Sequence, residues 1–283
     1  MSKSPDQAAA EALMVVRDLT VRYPAGRGRY GRARHTTVLD RVGLRIDAGE
    51  TVGLVGESGS GKTTLGRAVL GLTPAASGSI RYDGRELVGL RARDRRDVTR
   101  GLQTVFQDPH GSINPAMRVS SVLAESAPHG LDRAAVAVRA GELLEAVGLR
   151  AEDAARYPGT FSGGQLQRLA IARALMSSPR LVVCDEPVSA LDLSVQGQIL
   201  NLLAEMREKF DLAYLFIGHN LDVVRHVSDR IVVLYRGTVI EDGPADDVAL
   251  NPRHPYTRAL VAAAPVPDPE LQARRREAAR RIA

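Results

Sequence analysis

The chain carries the run Gly56-Glu57-Ser58-Gly59-Ser60-Gly61-Lys62-Thr63, which fits the pattern G-x-x-x-x-G-K-[ST]. Glycines let such a backbone curl until successive N–H groups point at phosphate oxygens, and a helix N-terminus behind them adds about half a positive elementary charge. Lys62 can offer a mobile point charge to β- and γ-phosphates, and the Thr63 hydroxyl can ligate Mg²⁺. A compact apolar strand expected over Thr51–Val55 and a helix beginning near Lys62 supply the strand–loop–helix context that this chemistry needs. The candidate nucleotide-binding residues are therefore Gly56, Ser58, Gly59, Ser60, Gly61, Lys62, Thr63 and Thr64.

A second group follows at residues 181–186, where Leu181, Val182, Val183 and Cys184 read as a buried strand delivering Asp185 and Glu186 at its C-terminal edge. Asp185 would hold Mg²⁺, and Glu186 could polarise the attacking water as general base. Neighbours on a strand face opposite ways, so the two acids share a task only if the strand ends there. Taken alone, the pair reads equally well as a surface turn. Cys184 reads as a small buried hydrophobe. A third group, Phe161-Ser162-Gly163-Gly164-Gln165, precedes a helix expected over residues 165–176. It makes another anion cradle, which one chain binding one triphosphate does not need. If that cradle acts on another molecule's nucleotide, the working unit is a dimer with two nucleotides held head to tail.

The elements that must position these groups alternate short apolar runs with helical stretches, the pattern of an α/β protein with a largely parallel central sheet. Strands are expected at 15–23 and 37–47, separated by a Gly/Arg-rich loop at 26–34, and further buried strands at 103–106 and Ala213–Ile217. Asp132 can cap a helix carrying Val136, Leu143, Leu144 and Val147, with Gly148 as its stop, inside a helical insertion. After Asp192 the apolar positions Val195, Ile199, Leu202, Leu203 and Met206 recur at the spacing of a core-facing helix. Residues 231–243 read as a hairpin turning at Arg236-Gly237, and Asn251-Pro252 opens a proline-punctuated extension.

Composition narrows the function. At 283 residues, 44% hydrophobic and 25% charged, the chain is an ordinary globular one. It has no run near the roughly 18 apolar residues that cross a bilayer, and no apolar stretch behind a basic start. A single cysteine excludes an internal disulfide framework and a cluster built on this chain's own thiolates, and a reducing cytoplasm fits. The net charge of +5 comes almost wholly from dispersed arginines, and with aromatics at 4% there is little for bases to stack on, so no nucleic-acid partner is expected. The one dense basic run, Arg274-Arg275-Arg276 to Arg280-Arg281, reads as a solvated helix end or as a membrane or nucleic-acid contact.

In order, the phosphate loop, Gln107, Phe161-Ser162-Gly163-Gly164-Gln165, the 181–186 run, Ser189-Ala190-Leu191-Asp192 and His219 resemble the nucleotide-binding subunit of ABC transporters over essentially the whole chain. A further layer is similar to the ATP-binding proteins of oligopeptide, dipeptide and nickel importers. It comprises Phe106-Gln107-Asp108-Pro109 with Ser112, Asn114 and Pro115, then Ser194, Val195 and Gln196, and the tail His254-Pro255-Tyr256-Thr257. The resemblance implies a P-loop NTPase (RecA-like) α/β core with an antiparallel β subdomain, a helical subdomain inserted at about 110–165 and a C-terminal extension. It places a flexible arm at 1–12, the ATPase domain at 13–250 and the extension at 251–283.

For individual residues the resemblance implies that Gln107 contacts Mg²⁺ or the attacking water and that Ser162, Gly163, Gly164 and Gln165 meet the γ-phosphate held by the opposing subunit. Asp192 would cross the dimer interface, and capping the following helix is compatible with that. His219 would bond the γ-phosphate and hold Glu186, and Tyr23 would stack on adenine, with Tyr30 as competitor. Departures are Gly218 and Asn220 beside His219, where Ser or Thr and Asp are usual, and His110 in place of an aromatic. None removes a catalytic group.

The expectation is an ATPase using ATP and Mg²⁺, peripheral on the cytoplasmic face of the membrane, powering an importer of oligopeptides or dipeptides. Its partners would be a second copy or, better matched, a related ATPase subunit, with two transmembrane permeases and, indirectly, an extracytoplasmic substrate-binding protein. The stretch 251–265 would pack against that partner or the core, and its prolines fit a passive wrap equally well. The rival readings are a soluble ABC-type ATPase acting on nucleic acid or ribosomes, for which the stretch from Lys62 to Ser162 has no room for a long coiled coil, and a P-loop kinase, which would leave the second cradle idle.

Overall fold

The computed structural model describes residues 12–27 and 33–263. The N-terminal arm up to residue 11, Tyr30 and the basic run Arg274 to Arg281 lie outside the described residues. The order along the chain is β1 (Met14–Arg27), β2 (Ala33–Ile46), β3 (Thr51–Val55), α1 (Lys62–Val69), β4 (Ser77–Tyr82), β5 (Arg85–Glu86), α2 (Ala92–Val98), β6 (Leu102–Val105), α3 (Pro109–Ser112) and α4 (Val119–Ala124). It continues through α5 (Arg133–Ala146), α6 (Gly163–Leu175), β7 (Leu181–Asp185), α7 (Leu193–Phe210), β8 (Ala213–Ile217), α8 (Leu221–Val227), β9 (Arg230–Tyr235), β10 (Thr238–Pro244), α9 (Ala245–Leu250) and α10 (Pro255–Ala263). Two compact units divide this order: Met1–Leu90 with Leu215–Ala283, and Arg91–Tyr214.

The first unit holds an antiparallel sheet in the order β2-β1-β4-β5. The first two strands run further than the apolar alternation suggests: Pro24 pairs with His35 and Arg27 with Ala33, shrinking the expected loop at 26–34. Backbone pairing needs no apolar side chains, so the polar ends of both strands carry no hydrophobic signal. In the same unit β3, buried along its whole length, pairs parallel with β9, and β9 turns back antiparallel into β10. The turn is the expected Arg236-Gly237, with φ of 47° and 80° as a two-residue hairpin of the right twist requires. Arg230 staples this region, donating to Glu50 Oε1 at 2.9 Å, Asp242 Oδ1 at 2.5 Å and the Arg45 carbonyl. Burial works against its charge, but the bonds to Asp242 and Glu50 outweigh that and push its pKa up.

In the second unit β6 and β7 pair parallel, Leu102 opposite Leu181 through Val105 opposite Cys184. Helices α3 to α6 form the helical part, with α4 and α6 packing on α5. Asp132 caps α5 as its sequence predicts, accepting from Ala135 N–H at 2.8 Å. Gly148 ends that helix with φ 77°, and Gly148 N–H and Leu149 N–H bond back to Glu145 and Leu144. Ile199, Leu202, Leu203 and Met206 of α7 are buried. Asp192 stands at the N-cap of α7, but its side chain makes no capping hydrogen bond, contrary to the compatible capping role. Helix α6 starts at Gly163, two residues before the position expected, because Ser162 and Gln165 close a capping box around its first turn.

Candidate active site

The first unit carries the phosphate loop. The chain leaves β3 through Gly56, whose φ of 154° and whose contact with β9 exclude a side chain: a Cβ there would lie 2.2 Å from the Leu234 carbonyl oxygen. Gly61, at φ 108°, turns the chain into α1, and its missing Cβ makes room for Leu39 Cδ2. Lys62 is almost buried and folds back so that its Nζ donates to the carbonyls of Gly56 at 2.7 Å and Glu57 at 2.9 Å. The Ser60 carbonyl accepts from Gly237 N–H at 2.9 Å, and the Ser60 hydroxyl is buried without a hydrogen-bond partner. A glycine-lined loop at a helix N-terminus, with an ammonium already drawn onto it and a hydroxyl left over, fits a polyphosphate with its Mg²⁺. Ser58, Gly59 and Thr63 on this loop are exposed, and Thr64 is half-buried.

His219 follows β8, exposed, one residue past Gly218, whose N–H bonds to the Leu54 carbonyl at 3.1 Å. The two departures beside it have local causes. Val224 of α8 fills the space over Gly218 and Gly53: a Cβ on Gly218 would meet Val224 Cγ2 at 2.5 Å, and one on Gly53 would meet Cγ1 at 2.3 Å. A Ser or Thr at 218 therefore has no room beside Val224. Asn220 caps α8, its Oδ1 accepting from Asp222 N–H at 3.0 Å, a task that Asp would perform equally well. Tyr23 lies within β1, 37% exposed, with its hydroxyl 3.3 Å from Thr73 Oγ1.

The second unit carries the remaining groups. β7 ends at Asp185, and Glu186 takes a left-handed backbone, φ 48°, so the two acids do sit where a strand ends. The Glu186 carbonyl then accepts from Ser189 N–H and from Ser189 Oγ at 3.0 Å, which fixes the turn. Cys184 is buried, and burial pushes its thiol pKa up, as an inert core thiol requires. Gln107 is exposed just past β6, ahead of α3, which Asp108 caps through His110 N–H at 2.9 Å.

Ser162 Oγ accepts from Gln165 N–H, and Gln165 Oε1 accepts from Ser162 N–H at 2.9 Å, so the cradle is a rigid helix start. Gly164 is required by packing as well: a Cβ would lie 2.8 Å from Val195 Cγ1 of α7. That contact brings Ser162, Gly163, Gly164 and Gln165 together with Leu191 and Asp192 around one pocket of about 310 Å³. Sequence reasoning missed what holds the cradle in place. Arg156 donates to Asp153 Oδ1 at 2.9 Å and to the Thr160 carbonyl at 2.8 Å, and its guanidinium lies 4.4 Å from the centre of the Phe161 ring. It also missed the path of the tail: Tyr256 stacks on Tyr235 at 4.2 Å, and its hydroxyl accepts from Glu57 N–H at 2.9 Å. The 254–257 tail was a legible motif, but nothing in it names its contact; of the readings left open for this stretch, Tyr256 packs on the core.

Residues 39–189 match the ABC transporter family, and residues 240–282 match the family described as oligopeptide/dipeptide transporter, C-terminal region. The chain is an ABC transporter ATP-binding cassette. This cassette is 43% identical over 268 residues to the oligopeptide transport ATP-binding protein OppF of Salmonella typhimurium, covering 93% of this chain and 80% of that protein. It is 44% identical over 263 residues to the di/tripeptide transport ATP-binding protein DppF of Pseudomonas aeruginosa, covering 92% and 81%. Among solved structures it is similar to cbiO1 of Clostridium perfringens, part of the ABC transporter complex cbiONQ, with TM-score 0.74 and 26% identity over 84% of this chain and 90% of that one. It is also similar to the dimeric, post-hydrolysis ATP-binding cassette MJ0796 bound to ADP and Pi, with TM-score 0.71 and 27% identity over 82% and 98%. The expected α/β P-loop cassette with its antiparallel β subdomain is thus the fold, and ATP hydrolysis with Mg²⁺, coupled to transport, is the cassette's activity. No helix among the described residues is long and apolar enough to cross a membrane.

Proposed function

We propose that this cassette is the ATP-hydrolysing subunit of an importer of oligopeptides or dipeptides, seated on the cytoplasmic face of two separate permease subunits. The observation that carries this reading is the match of residues 240–282 to the oligopeptide/dipeptide transporter C-terminal region, joined to the identity with OppF and DppF along most of the chain. The cassette pairs with a related ATPase subunit, or with its own copy, and an extracytoplasmic binding protein delivers the peptide. Its working parts are an ATPase domain at 13–250 with a helical subdomain at about 110–165, and an extension from 251.

The roles follow from the chemistry of each position. The loop amides and Lys62 neutralise the β- and γ-phosphates. Thr63, Asp185 and Gln107 would hold Mg²⁺, which when bound supplies charge neutralisation to the transferred phosphoryl group. Glu186 accepts the proton of the attacking water, and His219 bonds the γ-phosphate and holds Glu186 in place. Ser162 and Gly164, with Gly163 and Gln165, present first-turn N–H groups and a hydroxyl to the γ-phosphate on the other cassette, and Asp192 beside them meets that cassette's surface. Tyr23, exposed on β1, stacks on adenine.

The test is affinity purification of the tagged chain from membranes in mild detergent. Two permease chains and a sibling ATPase should co-purify, and added peptide with its binding protein should stimulate ATP turnover. Recovery with RNA or ribosomes and no permease would reject the reading in favour of a soluble ATPase.

A further inference from the structure

We propose that Tyr256 is a positioning residue for the phosphate loop, through which the C-terminal extension sets the cassette's affinity for nucleotide. The inference rests on the reading that residues 56–64 hold the triphosphate. One peptide group carries the argument. Its N–H belongs to Glu57 and donates to the Tyr256 hydroxyl at 2.9 Å; its carbonyl belongs to Gly56 and accepts from Lys62 Nζ at 2.7 Å. A single rigid plane therefore joins the tail's phenol to the ammonium that meets phosphate. Gly56, at φ 154°, has no side chain of its own to fix how that plane tilts, which is left to its contacts and hydrogen bonds. The phenol supplies one.

The phenol is itself held from three directions. Its ring stacks on Tyr235 at 4.2 Å, and the Arg236 guanidinium lies 5.0 Å from the centre of the Tyr235 ring. His254 precedes α10 and caps it, Nδ1 accepting from Tyr256 N–H at 3.1 Å, while Pro255 opens the helix. Glu241 of β10 grips the approach to the helix, its carboxylate accepting from Arg253 N–H at 2.7 Å and His254 N–H at 3.0 Å. Burial raises the Glu241 pKa, but these backbone donors outweigh it and pull it below the usual range. Burial pushes the Tyr256 pKa up, so the neutral hydroxyl is the acceptor that Glu57 meets. Any movement of α10 is thereby passed to the 56–57 peptide and to Lys62.

The test uses the full chain and a fluorescent ATP analogue, comparing the wild type with Tyr256→Phe, Tyr235→Phe and Lys62→Ala, together with thermal melting without nucleotide. Tyr256→Phe keeps the ring contact and removes one hydrogen bond, so it should bind the analogue about three- to ten-fold more weakly, with a melting temperature lowered by no more than about 4 °C. In steady-state turnover KM for ATP should rise by the same factor while kcat stays within about twofold. Tyr235→Phe, which keeps the stack and leaves the loop's bond in place, should bind like the wild type. Wild-type affinity in Tyr256→Phe, or an equal loss in Tyr235→Phe, overturns the proposal. Undiminished binding by Lys62→Ala overturns instead the reading of the loop on which it rests.

Discussion

Glu186 stands at the point where a buried strand stops and the backbone turns left-handed, a conformation that L-residues hold only when their surroundings insist. In the proposed role of general base it would contribute through one proton transfer, which an amide cannot perform. Glu186→Gln should therefore cut turnover on the order of a thousandfold, about 4 kcal/mol, and leave ATP affinity intact. Single-turnover hydrolysis alongside equilibrium binding checks both halves of that expectation. Residues of this kind can be proposed from sequence because phosphate chemistry fixes their types and spacing: Gly56, Lys62 and Asp185 are candidates before any contact is known. Residues whose importance lies in what they touch cannot be. Gly218 and Asn220 read as departures until Val224 and the start of α8 supplied their causes.

Among the elements, the segment before α6 shows how a surface charge cluster can serve a site. Asp153 is 3% exposed, accepts from Arg156 and from Arg150 N–H, and anchors the guanidinium that also grips Thr160 and Phe161, next to Ser162. The hydrogen bond from Arg156 leads the causes that hold its carboxyl below the ordinary aspartate range, against the opposing effect of burial. A carboxylate whose folded pKa is depressed adds stability that is fully present above its unfolded value and lost as pH falls through the folded value. Acid melting should thus show a loss of stability setting in below about pH 4. Asp153→Asn should lower stability at neutral pH by about 2 kcal/mol and flatten that acid limb, as denaturant titrations at several pH values would show.

At this scale the periodicities of strands and helices were readable, including the hairpin at Arg236-Gly237 and the cap at Asp132. The polar ends of β1 and β2 and the earlier start of α6 were not, since backbone pairing and a capping box leave little hydrophobic trace.

For the molecule as a whole, the order of the motifs told more than any of them singly. A loop built for one triphosphate and a second rigid cradle beside Asp192 make chemical sense together when two cassettes face each other. The comparisons place the chain among such cassettes, and the match at residues 240–282 aligns its tail with peptide importers. No pattern of apolar residues announces a partner's surface, so the permeases and the sibling ATPase stay a matter for purification. The cradle can be tested directly. Ser162→Arg puts a bulky side chain where the opposing γ-phosphate would sit and leaves this chain's own phosphate loop untouched. With the complex assembled on its permeases, ATP turnover at saturating nucleotide should fall to background while the cassette still binds ATP. Turnover at the wild-type rate would contradict a nucleotide shared between two cassettes.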